Sequence, residues 1–332
     1  MRVERLMAGT CGRPFPVYDD LVGRLLAAHG PEDAGRDGLV AHVLGTCAGY
    51  AYADVETVAM MMTRLGLEGS ACVRITQTVD AMFIFSTAYL VQSGCGRAAI
   101  LCYRGTEPAN LGNWLADADV GSDSIRLGSD ALVVHAGFNR NVQATRSAVI
   151  DELSLALEGR SLLDPRKSVE HPLEALYVTG HSLGGAMAVL FALSLAGTVG
   201  HRKIAGKLRA VYTFGQPLAS GEPLPEVARE VGRKLFRHVI PRDPVPGLPP
   251  AAWGHFAHFG TEYRYAEGEW RCAEPPVSQF ANLREVPGAL LGFFSSAKRR
   301  ASSRYALAEH GPHHYIAALR PRDKITELGD RC

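Results

Sequence analysis

Residues 173–196 read LEALYVTGHSLGGAMAVLFALSLA, and the junction inside this stretch decides the fold. Residues 173–179 form an apolar, β-like run, and residues 184–196 form a run of small and apolar residues with helical character. Between them stands Gly180-His181-Ser182-Leu183-Gly184. A serine on a tight strand-to-helix turn projects its hydroxyl above the end of the sheet, and side chains at the two flanking glycine positions would collide with neighbouring backbone. Ser182 is therefore a candidate nucleophile. The helix behind it turns its N-terminal N–H groups and dipole toward negative charge, so the Leu183 N–H suits an oxyanion forming beside the hydroxyl. A bare pentapeptide of this kind also fits an ordinary glycine turn, and the strand before with the helix after is what separates the two readings.

On either side, strands and helices alternate. Residues 81–91 and 97–103 are apolar runs separated by Gln92-Ser93-Gly94-Cys95-Gly96, a hairpin signal. After residues 133–135, Phe138, Val142, Val149, Leu153 and Leu157 recur near helical spacing and predict an amphipathic crossover helix. Further strands are predicted over 209–214, ending at Gly215-Gln216-Pro217, and over 234–240, ending at Pro241-Arg242-Asp243. This alternation implies an α/β fold with a mainly parallel sheet flanked by helices on both faces. Residues 17–65 carry helical patterning broken by Gly and Asp, and a helix is predicted over 55–65, where Met60, Met61 and Met62 read as core packing. No repeat or low-complexity linker divides the chain, so one domain is expected over 1–332, with residues 1–70 as a helical N-terminal extension.

With 332 residues, 47% of them hydrophobic, the chain can bury a sizeable core. A formal net charge of +1, with no basic stripe interleaved with aromatics, argues against a nucleic-acid partner. The first seven residues carry charges, and Gly9, Cys11, Gly12 and Pro14 follow before any apolar run long enough for a signal peptide; no stretch is apolar for long enough to span a bilayer. A cytoplasmic location is the expectation, with peripheral contact to a membrane as an option. Seven cysteines lie scattered without a Cys-x-x-Cys pair, which reads as reduced thiols.

Ser182 needs a base to take its proton and an acid to orient that base. Asp243 stands in His238-Val239-Ile240-Pro241-Arg242-Asp243-Pro244-Val245-Pro246, just past a predicted strand end, where ligand-facing loops of parallel sheets lie. An aspartate opening a proline-rich turn is its plain structural use. For the base, Glu309-His310-Gly311-Pro312-His313-His314-Tyr315-Ile316 offers His310, His313 and His314, among which spacing does not choose. A histidine there would direct Nε2 at Ser182 and donate Nδ1–H to Asp243.

Several blocks in order carry a resemblance: Tyr103-Arg104-Gly105-Thr106, Asn113-Trp114-Leu115-Ala116-Asp117, Val134-His135-Ala136-Gly137-Phe138, the elbow through Gly185-Ala186, Tyr212-Thr213-Phe214-Gly215-Gln216-Pro217, and Asp243-Pro244-Val245-Pro246. The chain resembles the class 3, fungal-lipase-like lipases of the α/β-hydrolase fold over residues 97–320. The resemblance implies Thr106 as the first oxyanion-hole residue, joining the Leu183 N–H. It also implies a base histidine a few residues before a Tyr that opens the last helix, a place that His310 fits first and His313 second. Three clustered histidines beside Gly311-Pro312 depart from the family's pattern, and residues 1–70 and 284–308 fall outside the resemblance.

The family's mobile lid corresponds here to residues 107–117, with Leu111, Trp114 and Leu115, although Trp114 also reads as a core residue. Residues 284–308 are a candidate cover segment. Within them Ala289-Leu290-Leu291-Gly292-Phe293-Phe294 and Lys298-Arg299-Arg300 suit either transient docking on a lipid surface or an ordinary connecting helix with a solvated basic end.

The resemblance implies a serine ester hydrolase acting on acylglycerols or related carboxylic esters through an acyl-enzyme, with no metal or organic cofactor. Alternatives are an acyltransferase or phospholipase using the same residues, and a non-catalytic lipid-binding relative. A metal site on His255, His258 and the 310–314 cluster lacks the converging ligand pattern zinc requires. Oligomeric state is not legible in the chain.

Overall fold

The computed structural model describes residues 1–7, 18–27, 38–106, 121–281 and 305–322. Strands β1 (Arg2–Met7), β2 (Ala71–Val79), β3 (Ile84–Gln92) and β4 (Ala98–Tyr103) form one side of a large sheet. Strands β5 (Ser122–Leu127) and β6 (Asp130–His135) make a separate hairpin. Strands β7 (Ala175–His181), β8 (Leu208–Phe214), β9 (Leu235–Val239), β10 (Thr261–Ala266) and β11 (Glu269–Cys272) complete the nine-stranded sheet in the order β1-β2-β3-β4-β7-β8-β9-β10-β11. The run β4, β7, β8, β9, β10 is parallel and the flanking pairs are antiparallel. The carboxyl ends Tyr103, His181, Phe214 and Val239 therefore share one edge of the sheet, where the loops that carry chemistry emerge.

Eight helices accompany the strands among the described residues: α1 (Leu21–Ala27), α2 (Gly38–Tyr50), α3 (Val55–Leu65), α4 (Ala136–Leu157), α5 (Leu183–Gly197), α6 (Arg202–Ala205), α7 (Glu226–Gly232) and α8 (Pro312–Leu319). The period of two along each strand sends neighbouring side chains into two different cores. From β7, Leu176 and Val178 pack in one core with α4 and α5, while Ala175 and Tyr177 pack in the other with α1, α2, α3 and α8. Strand β8 divides the same way, Val211 to the first and Ala210, Tyr212 and Phe214 to the second. Both faces being apolar explains why the central strands read as unbroken apolar runs. Helix α5 is buried throughout except for its last two residues, and each buried Leu or Val contributes roughly 1.5–3 kcal/mol.

Local signals account for the element ends. Helix α3 starts where the Asp54 carboxylate accepts the Thr57 N–H at 2.8 Å and stops where Gly66 turns left-handed at φ 99°. Its Met61 and Met62 are buried and Met60 is exposed. The β3–β4 hairpin closes through Gly96, left-handed at φ 89°, with the Ser93 N–H donating to the Ala98 carbonyl at 2.9 Å. The N-terminal stretch departs from the purely helical expectation because it begins with β1, an edge strand on β2. The Arg5 guanidinium is anchored to Glu152 of α4 at 2.7 Å and to the Leu162 carbonyl at 2.7 Å, partners far away in sequence.

Among the described residues no single helix is long and apolar enough to cross a membrane. Cys47, Cys72, Cys95, Cys102 and Cys272 are free thiols, and burial pushes Cys47 and Cys72 up to about 12.

Candidate active site

Ser182 joins the end of β7 to the start of α5 with φ 58° and ψ −131°, a strained conformation for a residue with a Cβ. Backbone crowding holds it there. A Cβ at Gly180 would overlap the Gly184 carbonyl and come 2.7 Å from the Gly185 nitrogen. One at Gly184 would overlap the Tyr103 carbonyl oxygen and come 2.9 Å from the Gly105 nitrogen. The elbow thus sits directly on the loop after β4. A Cβ at Gly105 would lie 3.2 Å from Ser182 Cβ, so Thr106, half-buried, follows a residue that already touches the serine. The Ser182 N–H donates to the Phe214 carbonyl at 2.9 Å, and its own carbonyl accepts the Gly185 and Ala186 N–H groups. Leu183 is the first residue of α5, so its N–H belongs to the first turn, which has no partner within the helix.

The loop after β8 continues the site. Gly215 takes φ 57°, and a Cβ there would lie 2.7 Å from Asp243 Oδ2 and 3.0 Å from His310 Nδ1. Asp243, buried on the loop after β9, accepts three hydrogen bonds: His310 Nδ1 to Oδ2 at 2.8 Å, the Tyr315 hydroxyl to Oδ2 at 2.6 Å, and the Val245 N–H to Oδ1 at 2.9 Å. Because the carboxylate only accepts, the His310 proton is on Nδ1 and Nε2 carries the lone pair. Burial first and then the Asp243 charge hold the Tyr315 phenol well above its ordinary range, so it stays protonated and donates. Neither Ser182 Oγ nor His310 Nε2, both buried, has a hydrogen-bond partner among the described residues. A hydroxyl and a basic nitrogen are thereby left available beside a helix N-terminus.

The structure brings His310 to Asp243 and leaves His313 and His314 on α8, their tilted rings 4.1 Å apart between centroids. Three further residues complete the arrangement. His181 Nε2 meets the His310 carbonyl at 2.7 Å, and His181 Nδ1 meets the Tyr52 hydroxyl at 2.9 Å. Trp270 donates its indole N–H to the Ala318 carbonyl at 3.0 Å and stacks over Tyr315 with ring centroids 6.4 Å apart. Reading the residues alone assigned His181, Tyr52 and Trp270 no role, and used Tyr315 only to mark the last helix. A signal existed for His181: the period of two puts it on the same face of β7 as Tyr177 and Thr179, and both reach the N-terminal helical layer through the Leu25 and Leu44 carbonyls.

Other expected features fall elsewhere. Leu111, Trp114 and Leu115 lie outside the described residues, as do residues 284–304 of the candidate cover segment. From that segment Tyr305 packs edge-on against Phe280 at 5.5 Å, and the Ala306 N–H donates to the Arg242 carbonyl at 2.9 Å. His258 Nε2 is engaged by the Pro246 carbonyl at 2.8 Å, and no group of three His, Cys, Asp or Glu side chains among the described residues is arranged to hold a metal ion.

Residues 100–253 match the model of the class 3 lipase family. The chain is 33% identical over 140 residues to secreted mono- and diacylglycerol lipase 2 of Gibberella zeae, covering 39% of this chain and 30% of that protein. It is 30% identical over 190 residues to the lipase of Rhizomucor miehei, covering 57% of this chain and 48% of that one. It thus spans less than half the length of these relatives. The native Rhizomucor miehei lipase propeptide complex, a solved structure, superposes with a TM-score of 0.52 at 20% identity, covering 82% of this chain and 78% of that one, which shows a shared fold. The names overturn the cytoplasmic expectation: the Gibberella zeae protein is a secreted lipase by name, as is a Penicillium cyclopium relative. That expectation rested on the lack of a signal-like apolar run near the start and of any run long enough to span a bilayer. From β4 to just past β9 the chain is thus similar to the class 3 lipases, and the shared architecture shows an α/β-hydrolase-type fold.

Proposed function

We propose that the chain hydrolyses carboxylic esters of lipids, acylglycerols foremost, through an acyl-enzyme on Ser182. The observation that carries the reading is the 2.8 Å bond from His310 Nδ1 to Asp243, which leaves His310 Nε2 unengaged in the same buried site as the strained Ser182. In this reading His310 Nε2 takes the hydroxyl proton as Oγ attacks the ester carbonyl, and Asp243 holds the imidazolium that results. The Leu183 and Thr106 N–H groups receive the oxyanion, as the N-terminus of α5 favours negative charge. His310 then returns the proton to the leaving alcohol, and water repeats the sequence to release the acid.

The relatives' names, a mono- and diacylglycerol lipase among them, support acylglycerols as the substrate class. The same proposal treats residues 1–332 as one working domain, because the N-terminal helices cover one face of the sheet that carries Ser182.

Hydrolysis of p-nitrophenyl esters of increasing acyl length, soluble and emulsified, tests the reading in wild type beside Ser182→Ala. Hydrolysis by the wild type and its loss in a folded variant is the expected result. Equal turnover in both removes Ser182 from the chemistry. A rise on emulsified long chains assigns Leu111, Trp114 and Leu115 to a cover that opens on lipid, and the lack of one removes that assignment.

A further inference from the structure

His181 is a polar side chain in a place that packing alone would fill with an apolar one. It continues the face of β7 that Tyr177 presents to the second core, and it is buried. An imidazole in such a site is costly unless both ring nitrogens are engaged, and here both are. The pattern of bonds fixes the tautomer. The His310 carbonyl can only accept, so His181 Nε2 carries the proton; Nδ1 must then accept, and the Tyr52 hydroxyl donates to it. Burial, with the neighbouring His310 as the next cause, holds His181 well below its ordinary value and keeps it neutral.

The carbonyl it grips is a specific one. His310 ends a short 3-10 turn, Leu307–His310, and the last carbonyls of such a turn have no partner within it. His181 supplies that partner and lays its ring against the His310 ring, centroids 4.6 Å apart. The side chain of the same residue is tied at Nδ1 by Asp243. Main chain, ring face and Nδ1 of His310 are thus each constrained, and Nε2 is the atom left to face the serine. Tyr52 also abuts the oxyanion loop, because its hydroxyl occupies the space a Cβ on Gly105 would need. One phenol–imidazole pair therefore sits where the elbow, the oxyanion loop and the His310 loop meet, and Tyr52 precedes the matched residues 100–253.

We infer that His181 and Tyr52 are positioning residues for the base, the Tyr52 hydroxyl setting the tautomer with which His181 holds the His310 backbone, so that the N-terminal helical layer forms part of the catalytic apparatus. This rests on the ester-hydrolase reading above.

The test compares Tyr52→Phe, His181→Leu and His181→Gln with wild type in p-nitrophenyl ester kinetics, thermal unfolding and the low-field proton NMR signal of the His310 Nδ1–H. Glutamine places an amide nitrogen near the position of Nε2 and retains a donor. His181→Leu should lower kcat by about 100-fold and Tyr52→Phe by about tenfold, with KM within about twofold, as expected when a reacting group is misplaced. His181→Gln should recover most of the loss, and the low-field signal should broaden or move in both the leucine and phenylalanine variants. Unchanged kcat in Tyr52→Phe, or glutamine no better than leucine, overturns the inference. If His181→Leu fails to fold, Tyr52→Phe decides: unchanged kcat or an unmoved low-field signal overturns the inference. If the folded wild type hydrolyses nothing, the ester-hydrolase reading fails, and the NMR signal still decides the positioning role: unmoved in Tyr52→Phe it is refuted, moved it stands.

Discussion

Two loops bring Ser182 and His310 into one buried site, and different physics holds each. The elbow around Ser182 is held by backbone against backbone: Gly180 on Gly184, Gly184 on Tyr103 and Gly105, with the Ser182 N–H bonded to Phe214. The loop of His310 is held by side chains, Asp243 and Tyr315 on one side and His181 with Tyr52 on the other. Steric constraint of the first kind has no graded relaxation, because a single added carbon must displace main chain. Hydrogen bonds of the second kind can be removed one at a time, each with a modest and measurable cost. Under the proposed reaction, Ser182 should therefore respond to substitution as an on–off element and His310 as an adjustable one.

Ser182→Ala keeps the elbow backbone and removes only the oxygen. It should reduce kcat by on the order of 10⁶ while leaving the thermal midpoint in place. Esterase assays and calorimetry check both halves, and retained turnover ends the comparison at its first term. Asp243→Asn should cost on the order of 10⁴ in kcat, because a side-chain amide stabilises the wrong His310 tautomer. Loss under tenfold would show that the His310 loop does not depend on this bond. Gly184→Ala attacks the elbow itself: a Cβ pressed on Tyr103 and Gly105 should lower stability by roughly 1–3 kcal/mol and carry away nearly all activity. Urea unfolding reads the first, and a stable, active variant would mean the elbow has room that the geometry denies.

Tyr315→Phe removes one of the three hydrogen bonds to Asp243 and should lower kcat about tenfold with little change in fold, the scale of one charge-assisted bond. A change equal to that of Asp243→Asn would show the carboxylate itself displaced. The most gradual effect is expected on acidification. Burial holds His42 at about 4, His238 at about 3, and His181 and His258 well below their ordinary value. Above the unfolded value near 6.5 both states are neutral at these positions; below it the unfolded chain binds protons that the folded chain refuses. Stability should fall as pH drops below 6.5, by up to about 1.4 kcal/mol per pH unit for each histidine, flattening beneath the folded values. Urea midpoints measured from pH 8 to pH 4 check this, and a flat profile down to pH 5 would contradict it.

What the sequence revealed follows the same division. The elbow, the helix over 55–65 and the 92–96 turn are local devices in which neighbouring residues state the geometry, and they were legible. Strand β1 was not, because Arg2, Glu4 and Arg5 give it a polar surface pattern and its stability comes from β2 and from Glu152 on α4. The exchange between Glu262 of β10 and the buried Arg237 of β9 is likewise a pairing across 25 residues that charged letters in a strand conceal. At the site, Ser182 and Asp243 stand at strand ends that periodicity locates. Choosing among His310, His313 and His314 required knowing that the 3-10 turn ahead of α8, and not α8 itself, brings its histidine to Asp243. His181 stood inside the quoted pentapeptide, and only the approach of Tyr52 from another layer gives it a task.

The stacking of Trp270 on Tyr315 carries a practical consequence. An indole this close to a phenol accepts its excitation energy, so light absorbed by Tyr315 leaves the protein as Trp270 emission. An event that draws the Tyr315 ring away from Trp270, breaking its bond to Asp243, changes that transfer. With eleven tyrosines and three tryptophans in the chain, the share owed to this pair is read as the difference in emission between wild type and Tyr315→Phe, in protein that carries no label.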